Sequence, residues 1–276
     1  LYVYIVLYYI EKKGKKNLEK NLENRKVCVT LQKHLNIWIM AKAKKVSGYV
    51  IYEGASRING KNIVAVVTME SSNIKTGNMA SMWILNSDES PTEASKSGND
   101  DSVCGLCPHR HNLGGACYVT LFQAPLQVWK SYKKGSYPKA DNMDIFTDMK
   151  VRFGAYGDPY AIPLDILNNI KSVVKNNTSY THQWNNESNG DNAILKKVSM
   201  ASVDSIEEAK LAQSKGWRTF RVTKDDSILM ENEIICPNYT HDVQCIDCKL
   251  CSGASNKKNI VIPVHGAKKS KFVEGE

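Results

Sequence analysis

Val151-Arg152-Phe153-Gly154-Ala155-Tyr156 is followed by Gly157-Asp158-Pro159, then by an apolar stripe of Ile162, Ile166, Leu167, Ile170, Val173 and Val174. The first run is short and β-prone, Gly-Asp-Pro is punctuation, and the stripe recurs at helical spacing. Ser179-Tyr180-Thr181-His182-Gln183-Trp184 then predicts a second strand. Strand, helix and strand in so short a span make a βαβ unit. Its strands lie parallel because the helix returns the chain to the same end of the sheet.

Working outward, the alternation continues. Lys197-Val198-Ser199-Met200-Ala201 predicts a strand, and Ser205-Ile206-Glu207-Glu208 has the spacing of a capping box opening a helix that stops at Gly216. Trp217–Val222, Ile234-Ile235-Cys236 and Ile260–Val264 predict three more strands. Upstream, Ile63–Met69 is a continuous β-prone run suited to a buried parallel strand. Residues 86–102 are polar and predict a loop or turn system. Phe122, Leu126, Trp129 and Tyr132 predict one helix of about 12–14 residues, with Gly135 as its stop. The expectation is a single α/β domain over 46–276: a complete or partial (β/α) barrel with cysteine-rich loops at the C-terminal strand ends. An open, doubly wound parallel sheet is the alternative.

Composition sets the class. The chain has 276 residues, 42% hydrophobic and 24% charged, which excludes collagen-like, rod-like and wholly disordered proteins. No apolar stretch is long enough to span a bilayer as a helix. The net charge of +9 dissolves when divided: residues 1–45 hold 11 Lys/Arg against 3 Asp/Glu, and the rest 26 against 25. A nucleic-acid partner is therefore not indicated by the charge of the folded domain. The expectation for residues 1–45 is a disordered or non-native extension, with translation starting at Met40. A membrane-surface anchor is the functional alternative.

If parallel strands deliver their following residues to one rim, that rim gathers polar and ligand-capable groups. Asp158 and His182 are the acid/base candidates, because a carboxylate and an imidazole exchange protons near neutral pH. Ser72, Asn73, Lys75, Tyr156, Trp184 and His265 are the candidates for contacting a small-molecule or nucleotide ligand. Each has a plainer reading. Asp158 before Pro159 is a good helix cap, and His182 suits a hydrogen-bonded core position.

The cysteines carry the strongest signal. Leaving aside Cys28, seven fall into two sets: Cys104-x2-Cys107-x9-Cys117, and Cys236-x8-Cys245-x2-Cys248-x2-Cys251. Two-residue spacers let successive thiolates face one ion or cluster without straining the loop. Cys245-x2-Cys248-x2-Cys251 has the opening spacing of bacterial-type ferredoxin ligands, and Cys236 is the candidate fourth thiolate. The expected cofactor is an iron–sulfur cluster or zinc, with all four of these sulfurs in one ligand sphere. The first set has three sulfurs, with His109 or His111 to complete it or a position left open. Disulfides are disfavoured by the odd count and the lack of a secretion signal.

Several motifs together, Ser71-Ser72-Asn73-Ile74-Lys75-Thr76-Gly77, Cys107-Pro108, Cys117-Tyr118, Gly157-Asp158-Pro159 and Tyr180-Thr181-His182-Gln183-Trp184, resemble an uncharacterised family of bacteriophage and prophage proteins. More distantly the chain resembles the phage gene-product-88-like proteins. The resemblance implies residence in a bacterial cytoplasm and supports a start at Met40, and it brings no established activity. Radical-SAM enzymes offer a looser analogy, but their Cys-x3-Cys-x2-Cys is absent. So are a P-loop, a Gly-rich dinucleotide fingerprint and a serine nucleophile elbow. Two functions follow as expectations. One is a redox or radical-type metalloenzyme acting on a small molecule or nucleotide; the other is a non-catalytic, zinc-stabilised phage accessory or binding module.

Overall fold

The computed structural model describes residues 46–186, 192–253 and 257–275. The expectations for residues 1–45 lie outside them. Five strands, β1 (Gly48–Ala55), β2 (Asn62–Thr68), β3 (Ala80–Asn86), β4 (Lys150–Tyr156) and β5 (Asn176–Thr178), form one sheet in that order. β2 runs antiparallel to both β1 and β3, whereas β3, β4 and β5 are mutually parallel. The second sheet contains β6 (Tyr180–Thr181), β7 (Met200–Val203), β8 (Thr219–Thr223), β9 (Glu233–Ile235) and β10 (Asn259–Pro263). Its order is β6-β7-β8-β10-β9 and every pair is parallel. Ser179 alone separates β5 from β6, so one extended segment serves a sheet with each half. The class is α/β, and among the described residues no strand pairing closes the two sheets into a barrel.

The helices are α1 (Pro91–Ser97), α2 (Asp101–Cys104), α3 (Ala124–Lys133), α4 (Leu164–Val173), α5 (Asn192–Val198), α6 (Ile206–Ser214), α7 (Pro237–His241) and α8 (Cys245–Cys248). α4 makes the crossover of the βαβ unit, burying Leu164, Leu167 and Ile170. The core continues through Ile63–Val67 of β2, Met82, Ile84 and Leu85 of β3, and Phe146 and Phe153.

Four expectations need correction. β2 is antiparallel, because a continuous apolar run reports burial on both faces and is silent about direction. Residues 86–102 contain α1 and α2. Ser90 accepts from the Glu93 amide at 3.3 Å while Glu93 accepts from the Ser90 amide at 3.0 Å, a capping box within a polar stretch. At α6 the Ser205 hydroxyl accepts from the Glu208 amide, but Glu208 reaches the Asp204 amide instead, one residue early. Phe122 precedes α3 and is 65% exposed, since α3 starts only at Ala124.

Candidate metal centre

Side chains alternate across a strand, so residues two apart share a face. On the concave side of successive strands these rows are Arg152, Gly154 and Tyr156 from β4, and Thr178, Tyr180 and His182 from β5, β6 and the turn after them. Ser202 of β7, Phe220 and Val222 of β8, and Ile262 and Val264 of β10 and its end continue the surface. Together they line a cavity of about 650 Å³. All seven cysteines of the two sets reach its wall, and none is in a disulfide.

The three-cysteine loop sits beyond the C-terminal ends of β4 and β6. Cys104 ends α2, whose Val103 carbonyl accepts from the Asp158 amide at 2.6 Å. Gly105 turns the chain there at φ +53 and ψ −124, a conformation reserved for glycine. A Cβ at Gly105 would lie 2.5 Å from the Gln183 amide nitrogen. Cys107 and Cys117 are fixed by backbone bonds to the Cys104 and His109 carbonyls. Below the loop, Arg110 donates Nε and Nη2 to Asp100 Oδ1 at 3.1 and 2.6 Å, with Nη2 also on the Gly98 carbonyl. Burial raises the Cys104 thiol well above its ordinary value, reinforced by Cys107, Asp100 and Cys117. Burial likewise raises Cys107 and Cys117.

The four-cysteine loop lies at the other end of β4 and β6. The Cys245 and Ile246 amides donate to the Lys75 and Thr76 carbonyls at 3.0 and 3.1 Å, and the Cys251 carbonyl accepts from Ser179 at 2.9 Å. Gly77, at φ +68, makes room for this contact: a Cβ there would meet Ile246 Cγ2 at 2.7 Å. Burial pushes Cys251 up to about 12, with Tyr180 opposing and Cys236, Cys245 and Cys248 adding to it. Arg152 lies beside Cys245 and offsets part of the burial that raises it. Its guanidinium donates to Tyr118 Oη at 2.8 Å and has no carboxylate partner among the described residues. No three of these sulfurs lie within 4.8 Å of one another, although Cys236, Cys245 and Cys248 are all near enough to act on Cys251.

One tight set of donors does exist. His109, His182 and Asp204 place one ligand atom each within 4.8 Å of the others. His109 Nε2 is 3.0 and 2.9 Å from the two Asp204 oxygens, and its ring stacks on Phe272. His182 Nε2 is 3.8 Å from Cys107 Sγ. Burial lowers His182 to about 4, so its ring is neutral. His111 is excluded as a ligand by its other bonds: Nδ1 to Lys268 Nζ and Nε2 to the Val119 carbonyl.

Asp158 and His182 meet on the cavity wall, together with Ser72, Asn73, Lys75, Tyr156 and His265. Two details differ from the common-rim expectation. Ser72, Asn73 and Lys75 follow antiparallel β2, so they arrive from the N-terminal ends of β3 and β4, as does the α8 cysteine loop. The placement of cysteine-rich loops at C-terminal strand ends thus holds for the first set and for Cys236, which follows β9, but not for Cys245, Cys248 and Cys251. Trp184 does not reach the cavity; it is buried, donating Nε1 to the Ser202 carbonyl at 3.0 Å. Asp158 is occupied structurally. Its carboxylate accepts from Tyr160 N, Thr181 Oγ1 and His182 N at 3.0, 2.8 and 2.8 Å, tying the end of β4 to the end of β6. Burial nevertheless raises it to about 6.

Sequence reasoning missed Arg152 and the pairing of His109 with Asp204. The inward row Arg152, Gly154, Tyr156 carried the first signal; the second pairs residues 95 apart and left none. Compared with family models, curated proteins and solved structures, the chain matches none. The resemblance to phage families thus rests on the motifs alone.

Proposed function

We propose that this chain is a metalloprotein that carries iron–sulfur clusters on its two cysteine sets, facing a cavity where a small polar molecule or nucleotide undergoes redox or radical-type chemistry. The supporting observation is that seven unpaired thiols, far apart in sequence, meet around one cavity in the groups defined by their spacing. A single zinc ion, with Zn–S near about 2.3 Å, would hold its sulfurs within roughly 4 Å of one another. On a four-iron cluster each thiolate binds a different iron and the sulfurs stand further apart, in keeping with no three of them lying within 4.8 Å of one another.

On this reading the parallel strands β3 to β10 form an incomplete barrel and the cavity is its interior. Arg152 and Lys75 suit an anionic ligand, and the Tyr180–Phe220 pair, with centroids 4.2 Å apart, suits an aromatic one. Asp158 holds the strands rather than serving as the acid/base, whereas the His182 ring faces the cavity with Cys107 Sγ its one hydrogen-bond contact, at 3.8 Å. The zinc-stabilised accessory module is the second reading, favoured by the exposed α7–α8 loop, which has little else to fold it. Neither reading needs a membrane; no described helix is long and apolar enough to cross one.

Anoxic purification tests the proposal. A brown protein with iron and acid-labile sulfide in stoichiometric amounts is expected. A colourless protein carrying only zinc overturns the cluster reading and leaves the accessory module.

A further inference from the structure

We infer that His109, His182 and Asp204 hold a divalent first-row transition-metal ion of their own, separate from the cysteine sets and with a coordination position open to the cavity. Three chain segments supply the donors. His109 comes from the three-cysteine loop, His182 from the turn after β6, and Asp204 from the end of β7. Their ligand atoms converge within 4.8 Å although the residues are 22 to 95 positions apart. Two imidazoles and one carboxylate are a common donor set for zinc or non-haem iron(II), leaving positions for water or substrate.

A simpler account is an Asp204–His109 ion pair. It explains two residues and leaves the third: the His182 ring makes no carboxylate hydrogen bond, and its Nε2 has only Cys107 Sγ nearby, at 3.8 Å. An ion satisfies all three. Asp204 is 6% exposed and its amide is bonded to Glu208 Oε2, its carbonyl accepts from Gly275, and Phe272 backs the His109 ring. Such outer contacts fix ligand orientation before the ion arrives. Both imidazoles line the cavity and the carboxylate lies behind them, so the open position faces the space where a ligand would sit. There the ion would polarise a ligand oxygen or lower the pKa of bound water.

Cobalt(II) is the probe. The full chain, purified anoxically and treated with a chelator to strip adventitious ions, is titrated with Co²⁺ and followed by visible absorption and metal analysis. One equivalent is expected, with ligand-field bands and no strong thiolate-to-cobalt charge transfer. His182→Gln should weaken binding more than about 100-fold, beyond the 10–100-fold typical of outer-shell partners. Circular dichroism, iron and sulfide should stay unchanged. If His182→Gln does not fold, Asp204→Asn, which keeps a hydrogen-bond acceptor for His109, is read instead. No uptake by the wild type, unchanged affinity in the folded variant, or a thiolate-dominated spectrum overturns the inference. A colourless, iron-free protein that still binds one Co²⁺ through His182 would sink the cluster reading and leave this one standing.

Discussion

The two cysteine ends of the cavity are built differently. The three-cysteine end is braced by protein: a buried Arg110–Asp100 pair, the Ser90–Glu93 capping box, Val103 in the main core and the Asp158 carboxylate stitching β4 to β6. The four-cysteine end is a loop from Cys236 to Gly253 whose residues 239–244 are all exposed. Its helices are four and five residues long, and each ends on a residue in left-handed backbone, Asp242 at φ +54 and Lys249 at φ +57. Its apolar anchorage is small, Cys236 and Cys251 packed with Met200 and Ile260 in a separate cluster, and the rest of its hold is hydrogen bonds to the Lys75 and Thr76 carbonyls and from the Arg218 guanidinium. One end is held by ordinary packing and hydrogen bonds. On the proposed reading the other also depends on its thiols being tied together, because helices that short with so little apolar packing are not stable alone. The contrast predicts which substitutions are structural.

The largest effect is expected at Cys248. Cys248→Ser removes one thiolate from the loop that lacks a core, and where ligation drives folding the ligand's free energy is folding free energy. Loss of metal and of several kcal/mol of stability should occur together, read as bound iron or zinc and as the denaturant midpoint. Unchanged stability with metal gone would break the comparison at once.

Next is the ion pair beneath that end. Arg221 donates Nε and Nη2 to Glu233 at 2.9 and 2.7 Å with both side chains essentially inaccessible, fixing β9 and thereby Cys236. Glu233→Ala leaves a buried guanidinium unpaired and should cost about 3–5 kcal/mol in urea unfolding. A replacement of both partners by apolar residues should recover most of that loss. If it does not, the pair does more than fill space.

At the braced end, effects should be smaller and local. Gly105→Ala forces an alanine into a glycine-only conformation against Gln183, and should cost about 1–3 kcal/mol. Asp158→Asn replaces an oxygen facing the His182 amide by a donor, and should cost a similar amount, about 1–3 kcal/mol. Hydrogen exchange at Tyr160 and His182 would show the loosening while the four-cysteine loop stays protected.

The same contrast explains what was legible in the sequence. β4, α4, β8 and β10 were readable because their apolar runs are bounded by Gly-Asp-Pro and Gly216, whereas Lys197-Val198, expected in a strand, close helix α5 and β7 starts at Met200. The cysteine sets were readable because ligand spacing is a local property. Strand direction in the first sheet was not, since Ile63–Val67 buries both faces and would look the same parallel or antiparallel. Trp184 looked like a cavity wall because strand alternation was carried past Thr181, whereas the chain turns into a single 3₁₀ turn at Gln183–Asn185 and redirects the indole inward. The His109–Asp204 contact depends on how a cysteine loop meets the end of β7, a tertiary fact with no local signature.

The smallest expected stability change is the most discriminating. Cys107→Ser alters a half-buried thiol whose side-chain hydrogen-bond contact is the His182 ring, 3.8 Å away. Burial keeps that thiol protonated without metal, so the exchange to hydroxyl removes one sulfur and disturbs no charge. Asp100, Arg110, Ser90 and Asp158 still hold the loop, so the unfolding midpoint should move by no more than about 1 kcal/mol. Bound metal should nevertheless fall at this end, because an oxygen is a poor substitute for a soft thiolate. Stability kept while metal is lost is the signature of a site whose ligands are positioned by the protein. Should Cys107→Ser unfold the chain as severely as Cys248→Ser, both ends would be folded by metal, and the bracing inferred from Asp158 and Arg110 would be insufficient to hold the loop.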